Sequence, residues 1–593
     1  MKNLVIILTE IAVIFLMVFN VWPREGALFL TGLLIFYFIF SPLEDSLWVF
    51  IASIPLFAAL PLTENFDSMA NWRILLTVLF LVWLWESRKS ITQLMRDTEC
   101  PILKCGTPSV PYGPRIPTLA ILSGIFLGLG VLSLINAADI IVGLKRLLYF
   151  INIFMLFLIV AETVKNKNNL LKIFQAMGAA LGLTLLIGYL QFFSVFFTPL
   201  YTFWQFWAKN MIPVFYGEKL GNLLSYSNTW FSYYVSQPPT LRMFSVFPDS
   251  HSFALFLIIG LPLLLTAVFL RLSPFWLFSL KKCGNLPVGQ AGPPNQRTGV
   301  ENKRPLFFWY PLLIFFLLAL IFSGSRGIWV SAFGLLIFLL ISIIILRPSK
   351  ATEATFRKFG SGAELFDRLR RFAIIEIGFP ASFKLRPEGI KISQLVAGSL
   401  VIFFFLFPIS SWFLFLSQKA QMDDLDLSKD AFLVFERAKS IADLSEVSVR
   451  GRLEIWQRTI DSIAARPVLG VGLANYPIVL NEDISAGKRG ASAHNLYLDV
   501  AAEAGIFALL ILLVIFWEIL KTAWQVFGSQ APIGSLAPKY WAGFFGLVFI
   551  WILVYSLFDI VLLNDKVLLF FTVNLALLYA FQSPFNFRKS SDL

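Results

Sequence analysis

The sequence predicts an all-α polytopic membrane protein with about 14 transmembrane helices. Three observations lead to this fold class. Hydrophobic residues make up 58% of the 593-residue chain, whereas a typical soluble domain has roughly 45–50%. Charged residues make up only 14%, against roughly 25% in soluble domains. Apolar runs of about 20 residues recur along the whole chain, and each can cross a hydrocarbon core roughly 30 Å thick.

The apolar runs define the predicted spans in chain order. The first run, "LVIILTEIAVIFLMVF", is too long for the apolar part of a signal peptide and no small-residue cleavage site follows it. We therefore expect a retained helix there. No fixed-period repeat is evident. The predicted spans are 3–21, 27–41, 46–62, 72–87, 117–135, 143–161, 169–197, 251–270, 307–322, 327–346, 393–416, 503–522, 540–561 and 566–583.

The loops between the spans predict the topology. Three loops rich in lysine and arginine, 88–116, 271–306 and 347–392, each follow an even number of predicted crossings. Positively charged loops tend to stay in the cytoplasm, so we expect these loops and the C-terminal "FRKSSDL" inside. The formal net charge of +12 then indicates topology and contact with anionic lipid rather than nucleic-acid binding.

The sequence shows no convincing metal site. Its cysteines, Cys100, Cys105 and Cys283, all fall in the basic loops, where a reducing compartment disfavours disulfides. A zinc site would need a fourth ligand, and neither loop contains a histidine. The acidic "DDLDLSKD" at 423–430 lacks the glycine and the final glutamate of a calcium loop. We therefore expect neither a metal ion nor another cofactor.

Two long loops, 198–250 and 417–502, are predicted to lie outside. The second, the largest loop, contains the amphipathic stretch "GRLEIWQRTIDSIAARP" at 451–467. We expect a helix that packs on the membrane domain through its apolar face and ends at Pro467. The apolar residues that recur at helical spacing on that face are Leu453, Trp456, Ile460 and Ile463.

Three polar clusters fall at membrane borders on the predicted outer side. They are "RMFSVFPDSHS" at 242–252, the turn "FSGSRGIWV" at 322–330, and "ASAHNLYLDVAAEAGI" at 491–506. Ionisable residues at membrane depth are costly and usually face a cavity or a partner. The ionisable residues singled out here are Arg242, Asp249, His251, Arg326, His494 and Glu503, with Arg450 and Arg452 upstream of the third cluster.

Each of these residues also has a purely structural interpretation. An arginine at a helix end can extend to the lipid headgroups, and a histidine can cap a helix. His251 can simply form a hydrogen bond with Asp249 beside it. Taken together, however, several arginines and a histidine on one face favour a site for a phosphate-activated donor. Arginine binds phosphate through a bidentate fork, and a histidine with an ordinary pKa of about 6.5 can accept a proton.

At these same residues the sequence resembles the superfamily of O-antigen ligases and O-antigen polymerases, which are membrane glycosyltransferases. The resemblance rests on the order and spacing of "SGSRG", "GRLEIWQRTIDSIAARPVLGVGLANYP" and "HNLYLDVAAEAGIFALL", within roughly residues 240 to 525. It implies a GT-C-like helical fold, an undecaprenyl-diphosphate-linked glycan as donor, and a metal-independent, inverting transfer. One departure is "PDSH" at 248–251, where many relatives have a sequence like Asn-Pro-Asn.

The resemblance also implies roles for individual residues. His494 corresponds to the catalytic histidine, and Arg326 and Arg242 to arginines that bind the lipid diphosphate. We expect Arg450 and Arg452 to contribute to the same diphosphate site. Four further residues are expected to support the site, and Ser325 in the turn is one of them. Asn495 and Tyr497 are expected to orient the imidazole or to bind sugar hydroxyls. Glu503 is expected to fix the imidazole or its loop.

The chain is accordingly divided into three regions. Residues 1–240 are N-terminal transmembrane helices with the cytoplasmic loop 88–116, and residues 526–593 are C-terminal transmembrane helices. Residues 241–525 are the predicted catalytic region, which includes the cytoplasmic loop 347–392 and the outer loop 417–502.

The leading hypothesis is a glycosyltransferase of a bacterial cytoplasmic membrane whose active site faces the outside or periplasm. The sequence leaves open whether the acceptor is a lipid core, another lipid-linked glycan or a protein hydroxyl. Polysaccharide-assembly proteins are candidate partners. Two alternatives are a transporter or flippase for a lipid-linked or anionic solute and a scaffold of an export complex. A transporter predicts charges buried mid-span and broken helices in paired repeats.

Overall fold

The structure is a computed structural model that describes residues 2–63, 67–97, 118–164, 167–225, 229–234, 237–270, 306–346, 387–421, 447–483, 492–529 and 536–582. Over these ranges the chain is mostly helical, with two short antiparallel two-stranded sheets. The all-α class is therefore confirmed. The three cysteines, the acidic "DDLDLSKD" and most of the three basic loops lie outside the described residues.

The N-terminal part consists of seven helices and one short strand pair. In this part Ala59 pairs with Ala70 and Leu60 with Met69. Its elements are α1 (Lys2–Val18), α2 (Gly26–Phe40), α3 (Leu43–Ala52), β1 (Ala59–Leu60), β2 (Met69–Ala70), α4 (Trp72–Asp97), α5 (Thr118–Ser133), α6 (Ile140–Thr163) and α7 (Lys167–Ser194).

The predicted outer loop 198–250 is largely structured. It contains the second strand pair of the described chain, in which Phe231 pairs with Leu241 and Ser232 pairs with Thr240. The elements of this segment are α8 (Leu200–Phe206), a π-helical turn (Trp207–Met211), α9 (Ile212–Tyr216), α10 (Glu218–Ser225), β3 (Phe231–Tyr234) and β4 (Gln237–Leu241).

The remainder of the described chain is helical. Its helices are α11 (Ser250–Phe269), α12 (Leu306–Phe322), α13 (Arg326–Leu346), α14 (Pro387–Phe405), α15 (Phe407–Lys419), α16 (Val447–Ala465), α17 (Tyr476–Asp483), α18 (Leu496–Gly528), α19 (Leu536–Tyr555) and α20 (Asp565–Gln582).

Within the described ranges, nine helical segments are long and apolar enough to cross a membrane, and two shorter apolar helices accompany them. The chain is thus a multi-pass membrane protein, and the count of about 14 crossings stays a prediction. Twelve of the predicted spans each coincide with one helix. The predicted span 393–416 consists of two helices, α14 and α15, which meet at Leu406.

The predicted span 46–62 is not one helix. Helix α3 ends at Ala52, and a 3₁₀ turn at Ile54–Leu56 and an extended stretch follow it. Pro55 has no N–H to continue the helical hydrogen-bond ladder, so it favours this break. Hydropathy alone did not reveal the break, because every residue from Leu47 to Leu60 except Ser53 and Pro55 is apolar and buried.

Helix α11 is the most enclosed of the candidate spans, with 94% of its apolar 18-residue stretch buried. It packs against α12, α19 and α20, while α18 packs against α5, α16 and α19. A helix that is apolar all round must be covered by neighbours or lipid. The central position of α11 places its first residues, at Ser250 and His251, inside the bundle rather than on its rim.

Ion pairs between residues in loops and at helix ends mark the two ends of the bundle. At one end, Arg24 contacts Asp67 at 2.7 Å and Glu218 at 3.3 Å. At the other end, Lys172 contacts Asp45 at 2.6 Å. The topology predicted from charge assigns Arg24, Asp67 and Glu218 to the outer side. It assigns Lys172 and Asp45 to the cytoplasmic side. The pairings support that alternation, and we refer to the end with Arg24 as the loop end.

The amphipathic stretch in the large loop is helix α16, and it ends at Ala465, two residues before Pro467. The predicted packing face is only partly correct, because Trp456 and Ile463 contact the buried surface and the other two residues do not. Leu453 and Ile460 are 48% and 52% exposed, whereas Ile455 is buried against α17 and α18. The buried stripe also includes Thr459, whose hydroxyl lies 2.6 Å from the Tyr476 hydroxyl. The buried side of helix α16 therefore includes a polar residue with a buried partner, and part of the more apolar side is exposed.

Candidate active site

The first two predicted polar clusters meet through the imidazole of His251. Its Nδ1 lies 2.8 Å from the Ser325 hydroxyl and 3.3 Å from the Tyr555 hydroxyl. His251 is in the first turn of α11, Ser325 precedes α13, and Tyr555 is the last residue of α19. Three helices that are distant in sequence therefore place these polar groups together at the loop end.

His251 also faces the carboxylate of Asp559, whose Oδ2 lies 3.8 Å from its Nδ1. This corrects the interpretation of His251 as a partner of Asp249. Asp249 instead caps α11, because its carboxylate accepts hydrogen bonds from the backbone N–H and the hydroxyl of Ser252. Asp559 follows the turn after α19 and is only 8% exposed, so a buried carboxylate lies next to the first two clusters.

Arg242 lies directly after strand β4, where the chain enters the irregular segment before α11. Its Nε donates to the Ser232 hydroxyl at 3.1 Å. Gly324 of the turn has a φ of +61°, and a Cβ there would lie 3.3 Å from Arg242 Cγ. The absence of a side chain at Gly324 therefore lets the turn approach Arg242 closely. Arg326, two residues later, is the first residue of α13 and is half-buried.

Helix α16 brings Arg452 to the same cluster. The charge of this half-buried residue acts on the rings of His251, His494 and Tyr555. The helix is attached to the third cluster by the Trp456 indole, which donates to the Ala493 carbonyl at 3.0 Å. Arg450, in contrast, has an exposed side chain. Arg450 and Arg452, which have the same predicted role, therefore differ in the structure: Arg452 is near the cluster and Arg450 is exposed.

His494 adopts an unusual backbone conformation with a φ of +47°. A non-glycine residue with positive φ is uncommon and costs conformational energy. Its Nδ1 is buried and has no hydrogen-bond partner among the described residues. Burial lowers the pKa of His494 below 6.5, the Asp559 carboxylate opposes this, and the Arg452 charge lowers it further. The imidazole is therefore neutral near pH 7, and an uncharged base is available.

The residues next to His494 fix the start of α18. Asn495 Oδ1 accepts hydrogen bonds from the backbone N–H groups of Tyr497 and Leu498, so Asn495 is the helix N-cap. The Tyr497 hydroxyl donates to the Leu553 carbonyl at 2.8 Å, which ties α18 to α19. Both side chains are thus used for the frame of the site rather than for orienting the imidazole.

The backbone after the N-cap also reaches the turn that carries Asp559. The Leu496 N–H donates to the Ser556 carbonyl at 2.9 Å. His494 and Asp559 are therefore held on two joined segments. This contact explains why the Asp559 carboxylate acts on the His494 ring.

Glu503 fixes a loop, one of the two roles expected for it. Its buried carboxylate accepts hydrogen bonds from the backbone of Ala474 and Tyr476. Nearby, Gly505 interrupts α18 with a φ of +86°. The backbone groups that this break frees are bound by the loop after α16: Val471 N–H donates to the Ala502 carbonyl and Ile506 N–H donates to the Pro467 carbonyl. The loop and the helix break are one structural unit.

Sequence reasoning placed His251 in a polar cluster without a role in the site, and it did not assign Tyr555 and Asp559 to the site. His251 is one of only two histidines in the chain, and Asp559 lies at a predicted outer membrane border. The rarity of histidine and the border position of Asp559 are signals from which the roles of His251 and Asp559 could have been predicted. Nothing local marks Tyr555, because its position beside Ser325 depends on how α13 and α19 pack. Within the described ranges, no three histidine, cysteine, aspartate or glutamate side chains are grouped as metal ligands would be.

An apolar cleft lies beside the site. It is formed between α5, α6, α18 and α20, and its wall includes Leu496 and Val500, which directly follow the His494 segment. Leu562 and Leu563, close to Asp559, line it as well. Arg146 and Glu503 are the charged residues in its wall. The cleft could therefore take an aliphatic chain alongside a polar site.

Residues 311–513 match the protein family described as O-antigen ligase. No curated protein matches the chain. The matched region contains Ser325, Arg326, Arg452 and His494, but it ends before Tyr555 and Asp559 and begins after Arg242 and His251. Part of the polar cluster therefore comes from outside the matched region.

Proposed function

Because the chain belongs to the O-antigen ligase superfamily through residues 311–513, we propose that it transfers a glycan from a polyprenyl-diphosphate carrier to an acceptor hydroxyl. The reaction takes place at the outer face of a bacterial cytoplasmic membrane. The carrier is undecaprenyl diphosphate, and the acceptor is a lipid core or a second lipid-linked glycan. A GT-C-like helical arrangement with about 14 crossings is part of the same proposal.

One observation carries the proposal: an uncharged imidazole and several arginines converge at one end of a membrane-embedded bundle. His494, Arg242 and Arg452 all lie near enough to the His251 ring for their charges to act on it. Arginines stay charged and bind phosphate oxygens in a fixed geometry. A neutral histidine can take a proton from a hydroxyl. These two chemistries are what transfer from a sugar diphosphate to an alcohol requires.

In the proposed mechanism, His494 removes the proton from the acceptor hydroxyl as its oxygen attacks the anomeric carbon. The bond from that carbon to the carrier phosphate breaks, and the diphosphate leaves with its electron pair. Attack opposite the leaving group inverts the anomeric configuration. Arg242, Arg326 and Arg452 stabilise the negative charge on the diphosphate. The exposed Arg450 contributes only to the positive potential at the rim.

Asp559 stabilises the imidazolium that forms on His494. A carboxylate close to a histidine favours its charged form, and Asp559 is the group that opposes the effect of burial at His494. The strained backbone at His494 and the unpartnered Nδ1 support a ring reserved for substrate. Strain of this kind is found at functional sites.

The apolar cleft beside Leu496 supports a substrate that carries an aliphatic chain. Donor and acceptor both have lipid portions in this proposal, and either could contribute a chain to the cleft. A lipid in this position would leave its head group at the loop end, close to the arginines. The membrane-spanning helices around the cleft would admit such a chain directly from the bilayer.

The decisive experiment offers undecaprenyl-diphosphate-linked oligosaccharide to the purified protein together with separate acceptors, a lipid core or a second lipid-linked glycan. We expect transfer by the wild-type chain and a loss of roughly 10²–10⁴-fold in His494→Ala, which is typical when a general base is removed. Arg458→Gln is the control, because Arg458 is exposed on α16. Transfer by His494→Ala at the wild-type rate would refute the role of His494, and no transfer to any acceptor would refute the proposed function.

A further inference from the structure

The segment from Arg242 to Asp249 is buried although it has no regular secondary structure. Buried backbone N–H and C=O groups need partners, above all in a membrane protein. Here side chains from other elements supply several of them. Gln191 of α7 accepts from the N–H groups of Phe244 and Ser245, at 2.9 Å each. The shape of this segment is therefore imposed by the surrounding bundle.

The carbonyl of Val246, in the middle of this segment, has two donors. The Tyr216 hydroxyl donates to it at 3.0 Å, and the ammonium of Lys566 donates to it at 3.2 Å. Lys566 lies near the start of α20 and is only 4% exposed. Its ammonium also donates to the Pro55 carbonyl at 2.8 Å. One buried cation thus connects α20, the break after α3 and the segment that begins with Arg242.

Aromatic rings and backbone carbonyls surround the side-chain nitrogen of Lys566. Its ammonium lies 4.5 Å from the centroid of the Phe215 ring and 5.4 Å from that of Tyr216, within cation–π range. Burial disfavours its charge, and the carboxylates of Asp565 and Glu10 act in the opposite sense. Glu10, in the middle of α1, is completely buried, and one of its carboxylate oxygens accepts from the Ser53 hydroxyl.

A charge of this kind is costly to bury, and an apolar residue is often at least as stabilising. An intramembrane ionisable group is for this reason a functional candidate by default. Lys566 is enclosed by aromatic rings and donates to backbone carbonyls, so it acts through these contacts and not as a second base. One of these carbonyls belongs to Val246, four residues after Arg242 and three before Asp249.

We propose that Lys566 is a positioning residue for the donor site: its hydrogen bond to Val246 fixes the segment that presents Arg242 to the diphosphate. This inference rests on the proposed function, because it assumes that Arg242 binds the donor. It also assigns a role to the N-terminal helices, which lie outside the region matched by the family. Through Pro55 and Glu10 they secure the cation that shapes the site.

The test measures binding of undecaprenyl diphosphate to the purified full-length protein, together with thermal unfolding and the kinetics of glycan transfer. In Lys566→Met we expect the Kd for undecaprenyl diphosphate to rise about tenfold or more, since a charge-assisted hydrogen bond is lost. The KM for the donor should rise with it, while kcat changes little. The matched control is Lys539→Met, which removes another buried lysine that faces aromatic rings, Phe527 and Tyr540, but on α19 away from the segment.

A second variant distinguishes two possible roles of Lys566: positioning the segment that contains Val246, and balancing the charge of Glu10. Lys566→Met alone leaves the buried Glu10 without its counter-charge, whereas Glu10→Gln combined with Lys566→Met removes both charges. We expect this double variant to recover the thermal stability of the wild type and to keep the weak binding. If it also recovers the wild-type Kd, Lys566 serves only to balance Glu10 and the inference is overturned.

A milder variant covers the case in which Lys566→Met does not fold. Tyr216→Phe removes the other donor to the Val246 carbonyl and keeps the ring, so we expect the Kd to rise about two- to fivefold. An unchanged Kd in folded Tyr216→Phe would contradict the inference. Binding distinguishes the two proposals: wild-type protein that binds undecaprenyl diphosphate but transfers no glycan refutes the proposed function, and Lys566→Met that binds like wild type refutes this inference.

Discussion

At the residue scale, the two histidines of the chain share one carboxylate. Asp559 lies 3.8 Å from His251 and also acts on the ring of His494. The charge of Arg452 acts on both rings in the opposite sense. When one buried carboxylate and one arginine act on two imidazoles, each charge influences the protonation of its neighbours. The proton affinity of His494 is therefore a property of the cluster.

This arrangement predicts the pH dependence of the proposed transfer. A base must be deprotonated, so kcat/KM should fall at acid pH with a midpoint below 6.5, because burial lowers the pKa of His494. Asp559 favours the imidazolium, so its loss in Asp559→Asn should move the midpoint to lower pH. Arg452 disfavours the imidazolium, so Arg452→Gln should move it to higher pH.

The measurement is the pH profile of kcat/KM for glycan transfer, with Arg458→Gln as the control that leaves the midpoint in place. Both Asp559→Asn and Arg452→Gln should also transfer more slowly. A midpoint that moves to higher pH in Asp559→Asn would show that this carboxylate does not act on the catalytic base.

At the element scale, the break in α18 explains why two sequence motifs occur together. The loop "PVLGVGLANYP" at 467–477 binds the backbone groups that the break at Gly505 frees. The Glu503 carboxylate in turn binds the backbone of that loop. His494 lies at the N-terminal end of the short helical segment before the break. The position of the imidazole consequently depends on a separate loop that precedes it in the chain.

Gly505→Ala tests this unit. A Cβ at Gly505 would overlap the Val468 carbonyl, and its φ of +86° is unfavourable for alanine. We expect a loss of about 2 kcal/mol or more in the free energy of unfolding, with a lower Tm and reduced transfer.

The control for this substitution is Gly334→Ala, in the middle of α13. No atom lies within 4 Å of a Cβ there, and alanine favours a helix over glycine by roughly 0.5–1 kcal/mol. Its Tm should be unchanged or slightly higher. If both variants unfold at the wild-type temperature, the helix break is not constrained by the loop.

At the scale of the whole molecule, the site is assembled at one end of the bundle from regions that are far apart in the chain. Arg242 and His251 precede the part matched by the O-antigen ligase family, and Tyr555 and Asp559 follow it. The matched region therefore includes His494 and the turn with Ser325 and Arg326. Residues outside that region supply the rest of the polar cluster. The N-terminal helices contribute through buried polar contacts such as Glu10 with Ser53.

The orientation of this bundle can be measured directly. In a variant with Cys100, Cys105 and Cys283 replaced by serine, we expect Arg458→Cys to react with a membrane-impermeant thiol reagent added to intact spheroplasts. Ser529→Cys, exposed after the last turn of α18, should react only after permeabilisation. The opposite pattern would place His494 in the cytoplasm and exclude transfer at the outer face.

The sequence by itself determined the class of the protein, the position of most helices and the three polar clusters. These are local properties, since the length of an apolar run and a charge at its border do not depend on the rest of the chain. The helix at 451–467 and its end were predictable for the same reason. Its buried face was not, because the Thr459 contact with Tyr476 requires a second element.

Only the tertiary structure decided which polar groups share a site. His251 has Asp249 two residues away, yet its ring contacts Ser325 and Tyr555 and faces Asp559. Asp249 is used by its own helix as a cap, so the nearer carboxylate was not available to the ring. A buried imidazole obtains partners from whichever helices the packing brings against it. That choice is made across the bundle, and no local pattern in the sequence encodes it.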